Sequence, residues 1–336
     1  EYTQLLESKL SWIVRIEAVQ SAFLHNAVPA HWPKERPRMM DGASIEDFAF
    51  WYARRLLELK IQIEQEHKGI LMLPDAYKNH IDPHLLTGLS IRQRKDNRLD
   101  IDEPIYDYLL RISSDEAAVK QLKDTIGLER KAAKAENFGL LYGMSADKLW
   151  RYGSIQFGLD WTHEEADVDR DAWFDMYAEI SLWHLVTELS AKVKCNIYDG
   201  YDRMRNHENA GGHFLQSTTL TGRMVFADKI NKILNYQDQG TGAEIALHAI
   251  GKLSDEKVSL HGQSYRLSDL LVNFVHDELV LDFPVLGDTE AEQKSWEKQI
   301  HDRVEQCMVE AAQELVGDRY DIQFTVEGEI GDYWIH

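Results

Sequence analysis

The chain has 336 residues, of which 44% are hydrophobic and 28% charged, so it can fill a large core and is neither fibrous nor wholly disordered. Its 57 acidic residues outnumber 37 basic ones and give a formal net charge of −20. This balance argues against a general nucleic-acid coat, because non-specific DNA affinity comes from neutralising phosphates. Two cysteines, Cys195 and Cys307, cannot build a disulfide framework and favour a reducing, cytoplasmic location. No apolar run approaches the roughly 20 residues that a membrane-spanning helix needs.

Hydrophobic periodicity predicts a mostly helical chain with short strands toward its C-terminal end, which is an α+β composition. The predicted helices cover residues 1–26, 44–69, 116–123, 128–152, 168–194, 242–252 and 289–315. The predicted strands cover residues 213–220, 223–226 and 322–327, with a hairpin over 270–283. Between residues 71 and 104 the pattern breaks at Pro74 and Pro83, which favours an exposed loop over a phosphate-binding track. The basic residues of that segment are Arg92, Arg94, Lys95 and Arg98.

A stripe of cations and aromatic rings recurs at every fourth position of the helix predicted over 128–152. Its members are Arg130, Lys134, Phe138 and Tyr142. This spacing places them along one helix face, beside small residues that leave room for a ligand. Two cations followed by two rings suit a triphosphate followed by a base, although a solvated helix face explains the spacing equally well.

Two adjacent carboxylates, Asp277 and Glu278, lie near the tip of the predicted hairpin. Neighbouring side chains at a tight turn point in different directions, so one carboxylate can hold a divalent cation in a cleft. Taken alone, the pair also fits a polar hairpin tip.

A third segment, 235–244, carries the amides Asn235 and Gln239 next to Gly240 and Thr241. These residues suit contact with a nucleic-acid backbone or minor groove, and they also suit an ordinary helix cap.

In this order, the three segments resemble the polymerase domain of family A DNA polymerases, the DNA polymerase I family. Residues 130–143 resemble the fingers helix of that family, 235–244 resemble its glutamine-glycine-threonine motif, and 275–279 resemble the palm motif with the second catalytic aspartate. Residues 219–223 and 328–334 are similar to the approach to the second motif and to the family's C-terminus. The similarity extends from about residue 128 to the end of the chain.

The resemblance implies a role for each residue of the stripe. Lys134 and Arg130 would bind the triphosphate of the incoming nucleotide. Phe138 would lie against its sugar and base, and Tyr142 would guard the templating position.

The resemblance also implies contacts to metal and DNA. Asp277 would ligate metal, with Glu278 as a neighbouring carboxylate. The implied DNA contacts are His276 at the primer terminus, Asn235 and Gln239 in the minor groove, and Arg223.

A two-metal reaction needs a further aspartate, which in this family stands in a palm motif upstream of the fingers. The sequence has no intact copy of that motif. Residues 1–5 resemble it with Glu1 in place of the aspartate, and 82–87 then resemble a later family segment, which makes much of 27–78 an insertion. Asp41, with Glu46 five residues later, is the rival candidate. We favour Glu1 and keep Asp41 open.

The implied architecture is a right-hand polymerase fold with a helical fingers subdomain on an antiparallel palm sheet and no thumb. We expect a palm motif and helix in 1–26, a helical and loop insertion in 27–110, fingers in 111–215 and the C-terminal palm in 216–336. The implied reaction is template-directed addition of dNTPs to a primer 3′-hydroxyl with two Mg²⁺ ions. We expect a second polypeptide to supply the thumb and remaining palm, as in a split polymerase of bacteriophage type, in a bacterial or infected host cytoplasm.

Two other functions stay open. One is a catalytically silent DNA-binding or regulatory subunit that keeps the fold, which is distinguished by whether a second carboxylate approaches Asp277. The other is a metal-dependent nuclease using His276, Asp277 and Glu278, which the nucleotide stripe disfavours.

Overall fold

A computed structural model of the chain describes residues 27–36, 45–67, 71–96, 101–194, 215–260, 262–275, 277–284, 287–318 and 324–331. These residues form two compact units. Unit 1 contains the described residues up to Gln216 together with Phe226–Leu234, and unit 2 contains Ser217–Val225 together with the described residues from Asn235 onward. Helices and small strand pairs confirm the α+β composition. The four expected segments, the fingers and palm arrangement and the missing thumb stay predictions.

Unit 1 is built from helices that follow one another through short connections. They are α1 (Ile45–Ile61), α2 (Met72–Lys78), α3 (Pro83–Asp96), α4 (Ile105–Ile112), α5 (Glu116–Thr125), α6 (Gly127–Leu141), α7 (Ala146–Phe157), α8 (His163–Met176) and α9 (Ala178–Lys194). Most of them share one core, in which Leu89, Leu140 and Trp173 are almost fully buried. Helices α3 and α6 approach closely because Gly88 has no side chain: a Cβ there would lie 3.2 Å from the backbone N of Arg130.

The later elements include three pairs of short strands. They are β1 (Leu215–Thr218), β2 (Met224–Ala227), α10 (Ile230–Asp255), β3 (Lys257–Leu260), β4 (Gln263–Arg266), β5 (Leu271–Val275), β6 (Glu278–Leu281) and α11 (Glu290–Ala312). β1 pairs with β2, and β3–β4 and β5–β6 are antiparallel hairpins. In unit 2, Trp296 and Ile300 of α11 pack against Val258 and Leu267 in one core.

The predicted loop over 71–104 is wrong for residues 72–78 and 83–96, which form α2 and α3. Pro74 lies in the first turn of α2 and Pro83 is the first residue of α3. Proline is tolerated in a first helical turn because the missing N–H would have no partner within the helix. The phosphate-binding track finds no support either, because Arg94 and Lys95 are paired with Asp169.

The helix predicted over 128–152 is two helices, α6 and α7. Gly143 has a φ of +71°, a left-handed conformation that favours glycine. Its N–H donates to the carbonyl of Leu140, and the N–H of Met144 donates to that of Gly139. This is a Schellman ending, which stops α6 at Leu141. The helix predicted over 168–194 is likewise divided, between α8 and α9.

In the C-terminal part, the structure differs from the sequence-based prediction at three places. α10 begins at Ile230, so the predicted start at residue 242 and the helix-cap interpretation of Gly240 and Thr241 are wrong. The β3–β4 hairpin lies in a segment where the sequence pattern predicts no strand. Residues 324–327 are not in a strand, and 322–323 lie outside the described residues.

Other predictions are confirmed. The β5–β6 hairpin falls within 270–283, and β1, β2 and α5 lie where the pattern predicts them. The predicted helix over 289–315 corresponds to α11, which begins with a capping box between Thr289 and Glu292. No helix among the described residues is long and apolar enough to cross a membrane.

Candidate functional site

The stripe of cations and rings lies along one face of α6 in unit 1. Phe138 is 53% exposed, Arg130 and Lys134 are half-buried, and Tyr142 follows the last helical residue. Apart from Glu136, the opposite face is made of small or apolar buried residues, namely Ala132, Ala133, Ala135, Gly139 and Leu140. One face therefore anchors the helix while the other offers two cations and a ring to a ligand.

The two cations of the stripe differ in their surroundings. The Arg130 guanidinium donates to Asp82 Oδ2 through Nη2 at 2.9 Å and Nε at 3.3 Å. Burial opposes ionisation of Asp82, yet hydrogen bonds from Arg130 and from the backbone N–H of His84 hold the pKa of Asp82 below its usual value. Among the described residues, Lys134 has no ion-pair partner. Lys134 is thus available for an anion, whereas Arg130 already holds one.

His84 lies next to the exposed ring of the stripe. Its ring centroid is 5.6 Å from that of Phe138. Its Nδ1 is 3.0 Å from Nδ2 of Asn137, one residue before Phe138 on α6. Burial lowers the pKa of His84, which keeps the imidazole neutral near pH 7. His84 was assigned no role from the sequence, although its segment, 82–87, carries part of the family resemblance.

Glu136 is the unusual residue of α6, because it points into the protein. It is fully buried, and neither carboxylate oxygen has a hydrogen-bond partner among the described residues. Burial, and after it the nearby Asp169, raise its pKa to about 8, against the smaller opposing effects of Arg94 and Lys95. A carboxyl group in this environment stays protonated at neutral pH.

The glutamine-glycine-threonine segment lies inside α10 in unit 2, against the turn between β1 and β2. The hydroxyl of Thr241 accepts from the backbone N–H of Leu220 at 3.0 Å. Gly240 makes this contact possible, since a Cβ there would lie 3.0 Å from Cγ2 of Thr219. Asn235 and Gln239 are one helical turn apart, and Gln239 is exposed.

Arg223, at the end of this turn, forms an ion pair within unit 2. Its Nε donates to Oε1 of Glu244 at 2.6 Å, and Thr221 donates to the other oxygen of the same carboxylate. Burial opposes ionisation of Glu244, but hydrogen bonds from Thr221, Thr219 and Arg223 lower its pKa. The Arg223 side chain is still 56% exposed, so part of it can meet a further anion.

The β5–β6 hairpin of unit 2 places Asp277 in its turn, where it is exposed, and Glu278 as the first residue of β6. Val275 and Glu278 face each other in the hairpin register. His276, Glu1 and Asp41 lie outside the described residues. Of the metal ligands expected from the sequence, the described residues include Asp277, with its carboxylate neighbour Glu278.

The described residues contain one grouping of three potential metal ligands, and it is elsewhere in unit 2. His301, Asp302 and Glu305 of α11 have ligand atoms within 4.8 Å of one another. Because Asp302 also pairs with Lys298 at 2.7 Å, this grouping reads as part of a charged helix surface.

Comparison with known proteins gives the family. The sequence profile of DNA polymerase family A matches residues 109–336, well over half of the chain. The chain belongs to DNA polymerase family A.

Several proteins similar to this chain are named DNA polymerase I. DNA polymerase I of Aquifex aeolicus (strain VF5) is 27% identical over 225 residues, which are 67% of this chain and 31% of that protein. DNA polymerase I B, mitochondrial, of Oryza sativa subsp. japonica is 25% identical over 70% of this chain and 21% of that protein. The thermostable DNA polymerase I of Thermus filiformis is 28% identical over 60% of this chain and 20% of that protein. The chain spans about a third or less of the length of these relatives.

Proposed function

We propose that this chain carries the nucleotide-binding helix and part of the palm of a template-directed DNA polymerase. The reaction is attack of a primer 3′-hydroxyl on the α-phosphate of a deoxynucleoside triphosphate, with loss of pyrophosphate. The observation that carries the proposal is the exposed face of α6, where Arg130, Lys134 and Phe138 stand in line. Membership of DNA polymerase family A supports the same interpretation.

The triphosphate would bind the cationic end of the stripe. Lys134 supplies a positive charge that is not committed to a carboxylate of the described residues, and His84 adds a neutral donor beside Phe138. Arg130 joins when the phosphate replaces Asp82 as its partner. Cations held at these positions stabilise the negative charge that grows on the departing pyrophosphate.

The aromatic end of the stripe would receive the sugar and the base. Phe138 is exposed next to Lys134, so a nucleotide whose phosphates meet the lysine can lay its sugar against the ring. Tyr142 lies one turn further along, beyond the end of α6, and we assign it to the templating position.

Asp277 would hold a catalytic metal ion in unit 2, with Glu278 beside it. Carboxylate oxygens are the protein ligands that Mg²⁺ prefers, and the exposed Asp277 leaves its oxygens free for such use. Two Mg²⁺ ions, when bound, activate the attacking hydroxyl and neutralise the phosphate oxygens. Glu1, or alternatively Asp41, is the proposed second carboxylate.

DNA would lie against the other residues that the family resemblance indicates. These are His276, Asn235, Gln239 and Arg223. Because the chain carries a net charge of −20, phosphate contacts must come from such local positions, and binding should weaken steeply with salt.

Primer extension with dNTPs and Mg²⁺ tests the proposal. Lys134→Ala should reduce extension and dNTP affinity by about tenfold or more, because it removes a charge from the triphosphate site. Lys131→Ala is the matched control, since Lys131 is an exposed lysine of the same helix outside the stripe. Equal losses in the two variants would contradict a specific role for the stripe.

The palm is tested in the same assay. Asp277→Ala should abolish extension, while Asp282→Ala, at an exposed aspartate after the same hairpin, should not. Adding an upstream polymerase fragment tests the expected second polypeptide. Binding of dNTPs that depends on Lys134, without extension in either mixture, would indicate the catalytically silent alternative.

A further inference from the structure

Asn137 is the centre of a partly buried hydrogen-bond network behind the proposed nucleotide-binding face of α6. Its Oδ1 accepts from Nε1 of Trp173 at 2.7 Å and from Oγ1 of Thr87 at 2.8 Å. Its Nδ2 is 3.0 Å from Nδ1 of His84. The side chain therefore joins α3, α6 and α8 at one point.

The chemistry of Trp173 fixes the orientation of the amide. An indole nitrogen can only donate, so the Asn137 atom that faces it must be the carbonyl oxygen. The other end of the amide is then the NH₂ group, which can only donate. His84 Nδ1 must consequently accept, and its ring proton must be on Nε2.

A second chain of hydrogen bonds supports the same orientation. Because Asn137 Oδ1 can only accept, the Thr87 hydroxyl must donate to it, and Thr87 must in turn accept from the hydroxyl of Tyr177 at 2.9 Å. Thr87 and Tyr177 are 1% and 0% exposed. Tyr177 therefore donates to Thr87, and Thr87 donates to Asn137. Reversing the amide would break the two hydrogen bonds that Asn137 Oδ1 accepts from Trp173 and Thr87.

We propose that Asn137 is a positioning residue that holds His84 as the neutral tautomer with its proton on Nε2, so that the ring offers an N–H donor to the bound nucleotide. This rests on the proposed function, because it assigns a nucleotide oxygen as the acceptor. Asn137 itself touches no substrate and acts through the His84 ring.

The charged groups around His84 agree with this arrangement. Asp82, at the start of its own segment, favours the protonated ring, whereas burial opposes it, and so do Arg130 and Lys134 from α6. Protonation would also place a hydrogen on Nδ1, opposite the NH₂ of Asn137, and would break that hydrogen bond. The imidazole is therefore stabilised as a neutral donor rather than as a cation.

The variant Asn137→Asp separates positioning from a purely structural role. An ionised aspartate has the same shape and still accepts from Trp173 and Thr87, but its second oxygen can only accept. It requires a hydrogen on His84 Nδ1, so the ring is either the opposite neutral tautomer or the imidazolium. The neutral form then has a bare Nε2, which repels the phosphate oxygens.

The measurements are ¹⁵N NMR of the His84 ring in the full chain, assigned with His84→Gln, and the Kd of Mg²⁺·dATP from pH 7 to 9. In the wild type we expect the proton on Nε2 and an affinity unaffected by His84 titration across this range. In Asn137→Asp we expect a hydrogen on Nδ1, and an affinity that falls about tenfold or more as the ring loses its second proton. Asn79→Asp is the control for added charge, because that amide donates to Tyr106 instead.

Three results would overturn the proposal. One is a wild-type ring with its proton on Nδ1, a measurement that needs no variant and so holds even where Asn137→Asp fails to fold. Another is a loss of affinity that is the same at every pH. The last is an equal effect of Asn137→Asp in the His84→Gln background. Absence of dATP binding in the wild type would instead refute the proposed function, and the NMR result would show separately whether Asn137 fixes the tautomer.

Discussion

Replacing Glu136 with glutamine should make unit 1 more stable at alkaline pH. Glu136 is fully buried on α6, and its two carboxylate oxygens have no hydrogen-bond partner among the described residues. The nearby Asp169 is 2% exposed and would repel a second negative charge. Glutamine has the shape of the protonated acid and cannot ionise, so Glu136→Gln removes the titration while preserving the packing.

The sign follows from the two pKa values of this carboxyl group. The unfolded chain loses the Glu136 proton near the ordinary pKa of 4.5, whereas the folded protein keeps it up to a pKa of about 8. Between these values the folded state binds more protons than the unfolded state, so the free energy of unfolding falls as pH rises. One pKa unit corresponds to about 1.4 kcal/mol, and allowing for partial titration near pH 8 the loss from pH 6 to pH 8 is about 2 kcal/mol.

The assay is denaturant unfolding of the wild type and Glu136→Gln at pH 6 and pH 8, followed by tryptophan fluorescence, to which the buried Trp173 of the same core contributes. The variant should be more stable than the wild type by about 2 kcal/mol at pH 6, where the unfolded wild type has already lost the Glu136 proton, and by about 4 kcal/mol at pH 8. Glu164→Gln, at an exposed position of α8, should follow the wild-type pH dependence. If the wild type and Glu136→Gln lose the same free energy of unfolding between pH 6 and pH 8, this reasoning is refuted.

Two other substitutions test contacts that the tertiary structure adds to the motifs. Asp82→Asn should raise the affinity for Mg²⁺·dATP several-fold by releasing Arg130 from a half-buried ion pair worth about 1 kcal/mol, as measured by calorimetric titration. A weaker affinity in a folded variant would show that Asp82 orients Arg130 for the phosphate instead of competing with it. Gly242→Ala, with open space around the new Cβ, should stabilise α10 by about 1 kcal/mol in thermal unfolding, because alanine is the better helix former. Gly240→Ala should not stabilise the helix, because its Cβ would lie 3.0 Å from Cγ2 of Thr219. Equal stabilisation by the two alanines would mean that the turn between β1 and β2 shifts at no cost in free energy.

The sequence alone determined the features that depend on local geometry. A spacing of four residues is enough to place Arg130, Lys134 and Phe138 on one helix face, because the period of an α-helix is fixed by its backbone. The two apolar runs on either side of Asp277 likewise predict the β5–β6 hairpin, since polar residues between two strand-forming runs mark a turn. The residues of these segments and their order also indicate the family, which the match over residues 109–336 confirms.

Sequence rules predict secondary structure less reliably where two local conformations are close in free energy. The sequence pattern predicts a loop at Pro74 and Pro83, yet both lie in the first turn of a helix, where proline costs little. Gly143 was not recognised as a helix end, because a glycine inside a helical pattern acquires its meaning only from the carbonyls that its neighbours reach.

Only the tertiary structure decided which distant residues meet the stripe. Asp82 reaches Arg130 across 48 positions of sequence, and Trp173 reaches Asn137 across 36. The packing of α3 and α8 against α6 sets these distances, and periodicity within one helix carries no information about them. For the same reason the sequence could not show that Glu136, two residues from Lys134, lies in the core: burial depends on what the neighbouring helices bring to each face.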